Sequence, residues 1–348
     1  MRTCCNPKEA EVKYSGIDLH SNNSVVVVSD EVDRVLVRRR VPNDAAAILA
    51  LLAAHREELV GVVVESTYNW YWLVDALQAA GYRVHLANTA AIKRYEGLKH
   101  SGDEDDAAYL AHLLRLKILP SGYICPPAAR AVRDLARKRM QLVRSRTAQV
   151  LSVENMLSRE TGAGMRSRAV QRLTAQAVES FGFHQDVGRA MCANVAVIKT
   201  LNREIDKLEQ RLHQCVRLRP EFRLLTSVPG IGQTLATLIM LEVGTIERFA
   251  AVGNFASYAR CVDSARISNG KKKGQGNVKN GNAYLAWAFV EAANFAQRYC
   301  AEARRFYERK KARTNGVVAT KALAHKLARA CYHMLKEQKP FDVKRCFA

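Results

Sequence analysis

The sequence predicts an α/β N-terminal domain joined by a long helical connector to a mostly helical C-terminal domain. Three observations carry this. Short valine-rich runs alternate with helical segments up to about residue 125, residues 128–218 form a proline-free stretch of helix formers, and the chain from Pro220 on is helical but broken by glycines. At roughly 100–200 residues per domain, 348 residues suit a division into 1–125, 126–218 and 219–348.

Taken in order, Val12 to Leu19, Ser24 to Ser29 and Arg34 to Arg40 read as three short strands. The polar turns Ser21-Asn22-Asn23 and Ser29-Asp30-Glu31 make them an antiparallel meander. A helix capped by Asn43 or Asp44 follows, with Ile48, Leu51 and Leu52 on one face. Val60 to Val64 is a continuous apolar run, the pattern of a buried parallel strand. A helix from Tyr71 to Ala80 stops at Gly81, and Tyr82 to Leu86 is a fifth strand. This order resembles that of ribonuclease H-like folds.

In the connector, Ile198, Leu201, Ile205, Leu208 and Leu212 recur at spacings of 3 and 4, a heptad seam ending near Cys215. Gly162 and Gly164 interrupt the stretch, which predicts two long helices folded back as a hairpin. The seam can face the partner helix or a second subunit. Beyond it come Pro229-Gly230-Ile231-Gly232, a glycine- and lysine-rich loop from Ser264 to Gly281, and closing helices at Ala283 to Lys310 and Val318 to Lys336.

Composition narrows the function classes. With 54 Lys+Arg against 33 Asp+Glu, the formal net charge is +21, the signature of a surface that binds a polyanion such as nucleic acid. The 48% hydrophobic content excludes a disordered basic tail. No run approaches the roughly 18 apolar residues of a membrane span, and the first fifteen residues lack a signal-peptide core. The expected location is therefore the cytoplasm, nucleoid-associated if DNA is the partner, with no membrane. Nine cysteines without a CxxC pair support neither a zinc ribbon nor a disulfide framework.

The candidate chemistry begins with carboxylates. Asp18 ends the first strand, Glu65 follows the buried run, and Asp103, Glu104, Asp105 and Asp106 open a helix. Acids beside buried strands are costly unless something cationic pairs with them. Asp103 and Asp106, three apart, share a helix face, although Asp105 and Glu104 compete for those positions and the cluster also suits a helix N-terminus. Converging, such acids make an oxygen-only site suited to Mg²⁺ or Mn²⁺, and two ions about 4 Å apart can serve a phosphodiester displacement. Pro229-Gly230-Ile231-Gly232 has the form of a helix-hairpin-helix turn whose N–H groups can approach a phosphate, or of an ordinary tight turn. Ser268 precedes Asn269-Gly270 and Lys271, Lys272 and Lys273, a cationic setting for a nucleophile or a phosphate grip, with Ser264 as its rival. Tyr284 and Trp287, past the polar turn Asn277 to Asn282, read as core rather than as base-stacking surfaces.

Together these motifs resemble the Piv/MooV-type transposases of bacterial insertion sequences. Gly16-Ile17-Asp18, Val64-Glu65 and Asp103 with Asp106 resemble the DEDD tetrad of a RuvC-like domain, and the block from Ser268 to Asn282 resembles a C-terminal serine domain. The resemblance covers nearly the whole chain. It implies a RuvC-like domain, a coiled-coil connector and a serine transposase domain; Asp18, Glu65, Asp103 and Asp106 as metal ligands; and Ser268 as the nucleophile of a phosphoserine–DNA link. It further implies element-end and target DNA as substrates, a structured bridge RNA as guide, and a dimer or tetramer. Two departures stand out: Asn269 follows Ser268, and Asn282 is followed by Ala283-Tyr284 rather than Leu-Arg. The rival readings are a Holliday-junction-resolvase-like nuclease that uses water as nucleophile, and a non-catalytic DNA- or RNA-binding protein.

Overall fold

The computed structural model describes residues 11–92, 102–262, 265–275 and 280–348, with backbone alone for 90, 265–267, 272 and 275. Ser264, the rival of Ser268, lies outside the described residues, as do Asn277 and the Lys272 side chain. The chain divides into two compact units, 1–125 and 126–348.

In the first unit, β1 (Lys13–Leu19), β2 (Asn23–Ser29) and β3 (Val35–Pro42) form the antiparallel meander. Helix α1 (Ala45–Ala53) starts where the Asp44 carboxylate accepts from the Ala46 N–H at 2.9 Å. Strand β4 (Leu59–Glu65) runs parallel to β1, and α2 (Tyr71–Ala79) leads to β5 (Val84–Ala87), parallel to β4. Helix α3 (Asp103–Arg115) and β6 (Ser121–Gly122), antiparallel to β5, complete the order β3-β2-β1-β4-β5-β6. Two residues are too few to show strand alternation, so β6 has no sequence signature.

The period of 2 sends successive side chains to opposite faces. Ile17, Val26, Val28, Val62 and Val64 pack with Ile48 and Leu52 of α1 and with Leu73, Val74 and Leu77 of α2. On the other face Val25 and Val27 pack on Ala107, and Val63 on Leu110, both of α3. Both faces are thus covered, which is why β1, β2 and β4 carry continuous apolar runs. Gly16 sets the spacing, because a Cβ there would collide with the backbone of Ala107 and Ala111.

In the second unit, Pro127 starts α4 (Pro127–Thr161), which ends at Gly162 with a left-handed φ of 70°. Two short helices, α5 (Ser167–Val170) and α6 (Ala175–Glu179), precede α7 (Gln185–Val216), which returns along α4. Arg139 donates to Glu209 at 2.8 Å and Arg146 to Asn202 at 2.8 Å, pairings that fix the antiparallel register. Within the chain the seam residues Ile198, Ile205 and Leu212 are buried, while Leu201 and Leu208 are half-buried.

Helices α8 (Pro220–Thr226), α9 (Gln233–Val243) and α10 (Val252–Tyr258) then lead to a hairpin, β7 (Ala265–Ser268) and β8 (Lys271–Gln275). This corrects the expectation of a loop. Asn269 and Gly270 take φ of 51° and 69°, the two left-handed positions of a tight hairpin turn, which pair strands otherwise poor in strand formers. The expected helix from Ala283 to Lys310 is likewise two, α11 (Ala283–Tyr299) and α12 (Ala301–Arg313). Buried Cys300 is extended between them, and the Arg304 guanidinium donates to the Gln297 and Arg298 carbonyls that α11 leaves open. Helices α13 (Gly316–Glu337) and α14 (Val343–Phe347) close the unit, and Tyr284 and Trp287 pack partly buried against its core. Among the described residues, no helix is long and apolar enough to cross a membrane.

Candidate active site

The register of β1 and β4 places Ile17 beside Val64, so the next residues, Asp18 and Glu65, end neighbouring parallel strands on the face turned to α3. Asp18 is 3% exposed. Burial pushes the Glu65 carboxyl up to about 8, reinforced by its hydrogen bond to Asp18 and by the charges of Asp18 and Asp106. Asp106 comes from the first turn of α3, which Gly16 allows to lie directly on β1.

Asp105 is exposed and its carboxylate accepts from the Gly102 N–H at 3.4 Å, the act of a helix cap. Glu104 is also exposed and accepts from Arg38 at 3.1 Å. Of the rival acids on α3, Asp103 and Asp106 are therefore the two that meet the strand-end acids.

Two residues outside the sequence-based set also belong here. His20 Nε2 lies 3.3 Å from Asp18 Oδ2 and 3.2 Å from Asp103 Oδ2. Arg40 Nη2 donates to Asp103 Oδ2 at 2.7 Å, and with His20 it holds the Asp103 carboxyl below the usual carboxylate range. One ligand atom from each of Asp18, His20 and Asp103 falls within 4.8 Å of the others. The signals existed: residues 16, 18 and 20 share the parity of β1, and Asp18, Val25 and Arg40 form one row across three strands. Reading that row needs the register, which the sequence alone leaves open.

The donors fit a divalent cation. Asp18, Glu65, Asp103 and Asp106 offer hard carboxylate oxygens, and a cation would offset the burial and the neighbouring charges that raise Glu65.

In the second unit, Ser268 is exposed at the end of β7 and pairs across the turn with exposed Lys271; Lys273 is exposed on the same strand as Lys271. Gly232 is exposed at the N-cap of α9 and faces open space. Gly230 packs closely on α11. Its φ is +92°, and a Cβ would run into the backbone of Ala292 and Ala296, so it seats the turn on α11.

The residues after the hairpin build the unit's polar core. Asn282 caps α11 by accepting from Tyr284 and Leu285 and donates to buried Glu242 at 2.6 Å. Glu242 receives two further bonds, from Arg137 Nε at 2.6 Å and Nη2 at 2.8 Å, and the Arg137 guanidinium lies 4.7 Å from the Tyr284 ring centre. Glu242 raises Arg137 above its ordinary range against the cost of burial. Asn282 thus serves the fold, whatever else it does.

Residues 15–161 match a family model described as "Transposase", the DEDD domain of the IS110 type. Residues 222–308 match one described as "Transposase IS116/IS110/IS902 family". A "Probable family 20 transposase" of Pseudomonas aeruginosa is 27% identical over 93% of both chains. An insertion element IS116 protein of Streptomyces clavuligerus is 23% identical over 94% of this chain and 96% of its own.

Proposed function

We infer that this chain, a member of the IS110/IS116 family of transposases, cuts and rejoins DNA through a RuvC-like domain acting with Ser268. The observation that supports the reading is the convergence of Asp18 and Asp103, with Glu65 against Asp18 at the neighbouring strand end and Asp106 close enough on α3 to act on Glu65. These four residues would hold Mg²⁺ or Mn²⁺, which when bound supplies Lewis acidity at a phosphodiester.

Ser268 is the proposed nucleophile. Its hydroxyl oxygen bonds to phosphorus as one DNA strand leaves as a free hydroxyl, giving a phosphoserine link. A hydroxyl of another strand then displaces the serine. Each bond broken is matched by one formed, so the exchange needs no ATP, and the sequence holds no Walker motif. Exposure of Ser268 and the cations of Lys271 and Lys273 across the hairpin support this role. Lys272, Gly232 and the first turn of α9, which Gly230 seats, would grip phosphates.

The reading extends to the division of labour: residues 1–125 as catalytic domain, 126–218 as coiled-coil connector and 219–348 as serine domain. A bridge RNA would choose the DNA by base pairing, so the +21 charge would serve backbones rather than bases. Strand exchange needs several DNA ends at once, hence a dimer or tetramer, for which half-buried Leu201 and Leu208 offer contact.

The test is Asp18→Ala. Cleavage of element-end DNA should disappear while nucleic-acid binding and the melting curve persist. Normal cleavage by this variant would end the reading.

A further inference from the structure

The end of α13 is folded back on itself. Gln338 takes a left-handed φ of 52°, the Lys339 N–H donates to the Met334 carbonyl at 3.1 Å, and the Phe341 N–H donates to Ser227 Oγ at 3.0 Å. Residues 339–346 thereby line one cavity with Lys326, Arg329, His333 and Glu337, whose spacings of 3, 4 and 4 put them on a single face of α13. Arg345 ties the two walls together, donating from Nη1 and Nη2 to the two Glu337 oxygens, each at 2.7 Å. The cavity holds about 270 Å³, close to the lower bound of roughly 300 Å³ for sites that take small organic ligands.

Its lining has two kinds of surface. Met334, Phe341 and Cys346 are apolar and buried or half-buried. Arg329 and Lys339 are exposed, and neither forms an ion pair among the described residues. The acids nearby are already engaged: Glu337 by Arg345, and Asp342 by capping α14, where it accepts from the Arg345 N–H at 3.1 Å. A third cation, Lys326, has its Nζ 5.3 Å from the Phe306 ring centre and 5.8 Å from that of Phe347, contacts that steady it without neutralising it. Bare phosphate would leave the apolar wall unused, and an apolar ligand would leave the cations unanswered. A flat ring that carries an anion satisfies both.

We propose that this cavity receives one nucleotide unit, its base against Phe341 and Met334 and its phosphate at Arg329 and Lys339. The same unit could come from a nucleic-acid strand or from a free mononucleotide, and the net charge of +21 favours the strand. The site goes beyond the cleavage reading and uses none of its residues.

The test irradiates the full chain with three probes that carry 5-iodouracil: a single-stranded RNA twelve-mer, the DNA twelve-mer, and free 5-iodouridine monophosphate. Peptide mass spectrometry should place the strand adducts at Met334, Phe341 or Cys346, a readout that needs no variant to fold. Arg329→Ala combined with Lys339→Ala should remove those adducts, weaken twelve-mer binding about tenfold at physiological salt and flatten its salt dependence. Its melting curve should match the wild type, because both side chains are exposed. Lys310→Ala combined with Arg313→Ala removes equal charge from exposed positions on α12 and should keep the adducts. Adducts at the same residues from the monophosphate alone would support the site and make a free nucleotide its occupant. No adduct in the cavity from any probe, or its loss in both double variants alike, overturns the proposal. Cleavage is tested separately by Asp18→Ala, so failure of one reading leaves the other standing.

Discussion

The acid site and the serine hairpin solve opposite problems. Asp18 and Glu65 are fixed by a sheet of six strands, covered on both faces and gripped by α3 through Gly16. Ser268 sits on a sheet of two strands, exposed, beside a turn whose glycine meets nothing within 4 Å. A two-stranded hairpin is marginal by itself, whereas a doubly covered sheet is not. The groups that hold charge are built where the fold is rigid, and the group proposed to make and break a bond is built where the fold constrains it least.

Several substitutions would break or sharpen that contrast. The largest effect belongs to Asp18→Asn: DNA cleavage should fall at least about a thousandfold, measured as strand nicking in Mg²⁺, with stability unchanged or raised because a crowded charge is removed. Next is Glu242→Ala, which takes from half-buried Arg137 and buried Asn282 their bonds to a buried carboxylate. Denaturant unfolding of the second unit should show a loss of about 3–5 kcal/mol.

A pair of identical changes compares the two regions directly. Gly16→Ala drives a methyl into the backbone of α3 and should cost about 1–3 kcal/mol in the first unit, with cleavage falling as Asp106 moves away. Gly270→Ala meets open space and suffers only from its positive φ, so it should cost about 1 kcal/mol and leave the melting of the first unit untouched. Equal losses from both would refute the contrast.

The pH dependence is smaller and has a definite sign. Glu65 holds its proton more tightly folded than unfolded, so the stability it contributes is complete below about 4.5 and is lost as pH climbs toward about 8. In metal-free protein, Glu65→Gln should flatten this slope and raise the melting temperature at pH 8 by on the order of 5 °C, with no gain at pH 4.5. A parallel decline in both proteins would show that Glu65 is not the group responsible.

Much of the first unit was legible because its strands must be apolar on both faces, and valine runs such as Val25 to Val28 announce that. Asp18 and Glu65 were legible because each is an acid abutting such a run. His20 and Arg40 were not, since their meeting depends on register across strands that no local pattern reveals. The hairpin around Ser268 escaped for the reverse reason: Lys271 to Gln275 has no strand-forming composition, and only the Asn269-Gly270 turn marks it. Gly230 shows the limit of such reading, because a glycine that lets a phosphate approach looks the same in sequence as one that seats a turn on α11.

The most direct measurement joins the two regions. Purified protein would be incubated with element-end DNA, co-expressed RNA and Mg²⁺, denatured in SDS, and the protein–DNA adduct mapped by peptide mass spectrometry. The account predicts a covalent link on Ser268 that is absent in both Ser268→Ala and Asp18→Asn. DNA cut with no adduct, even when the later steps are blocked, would contradict it and make water the nucleophile.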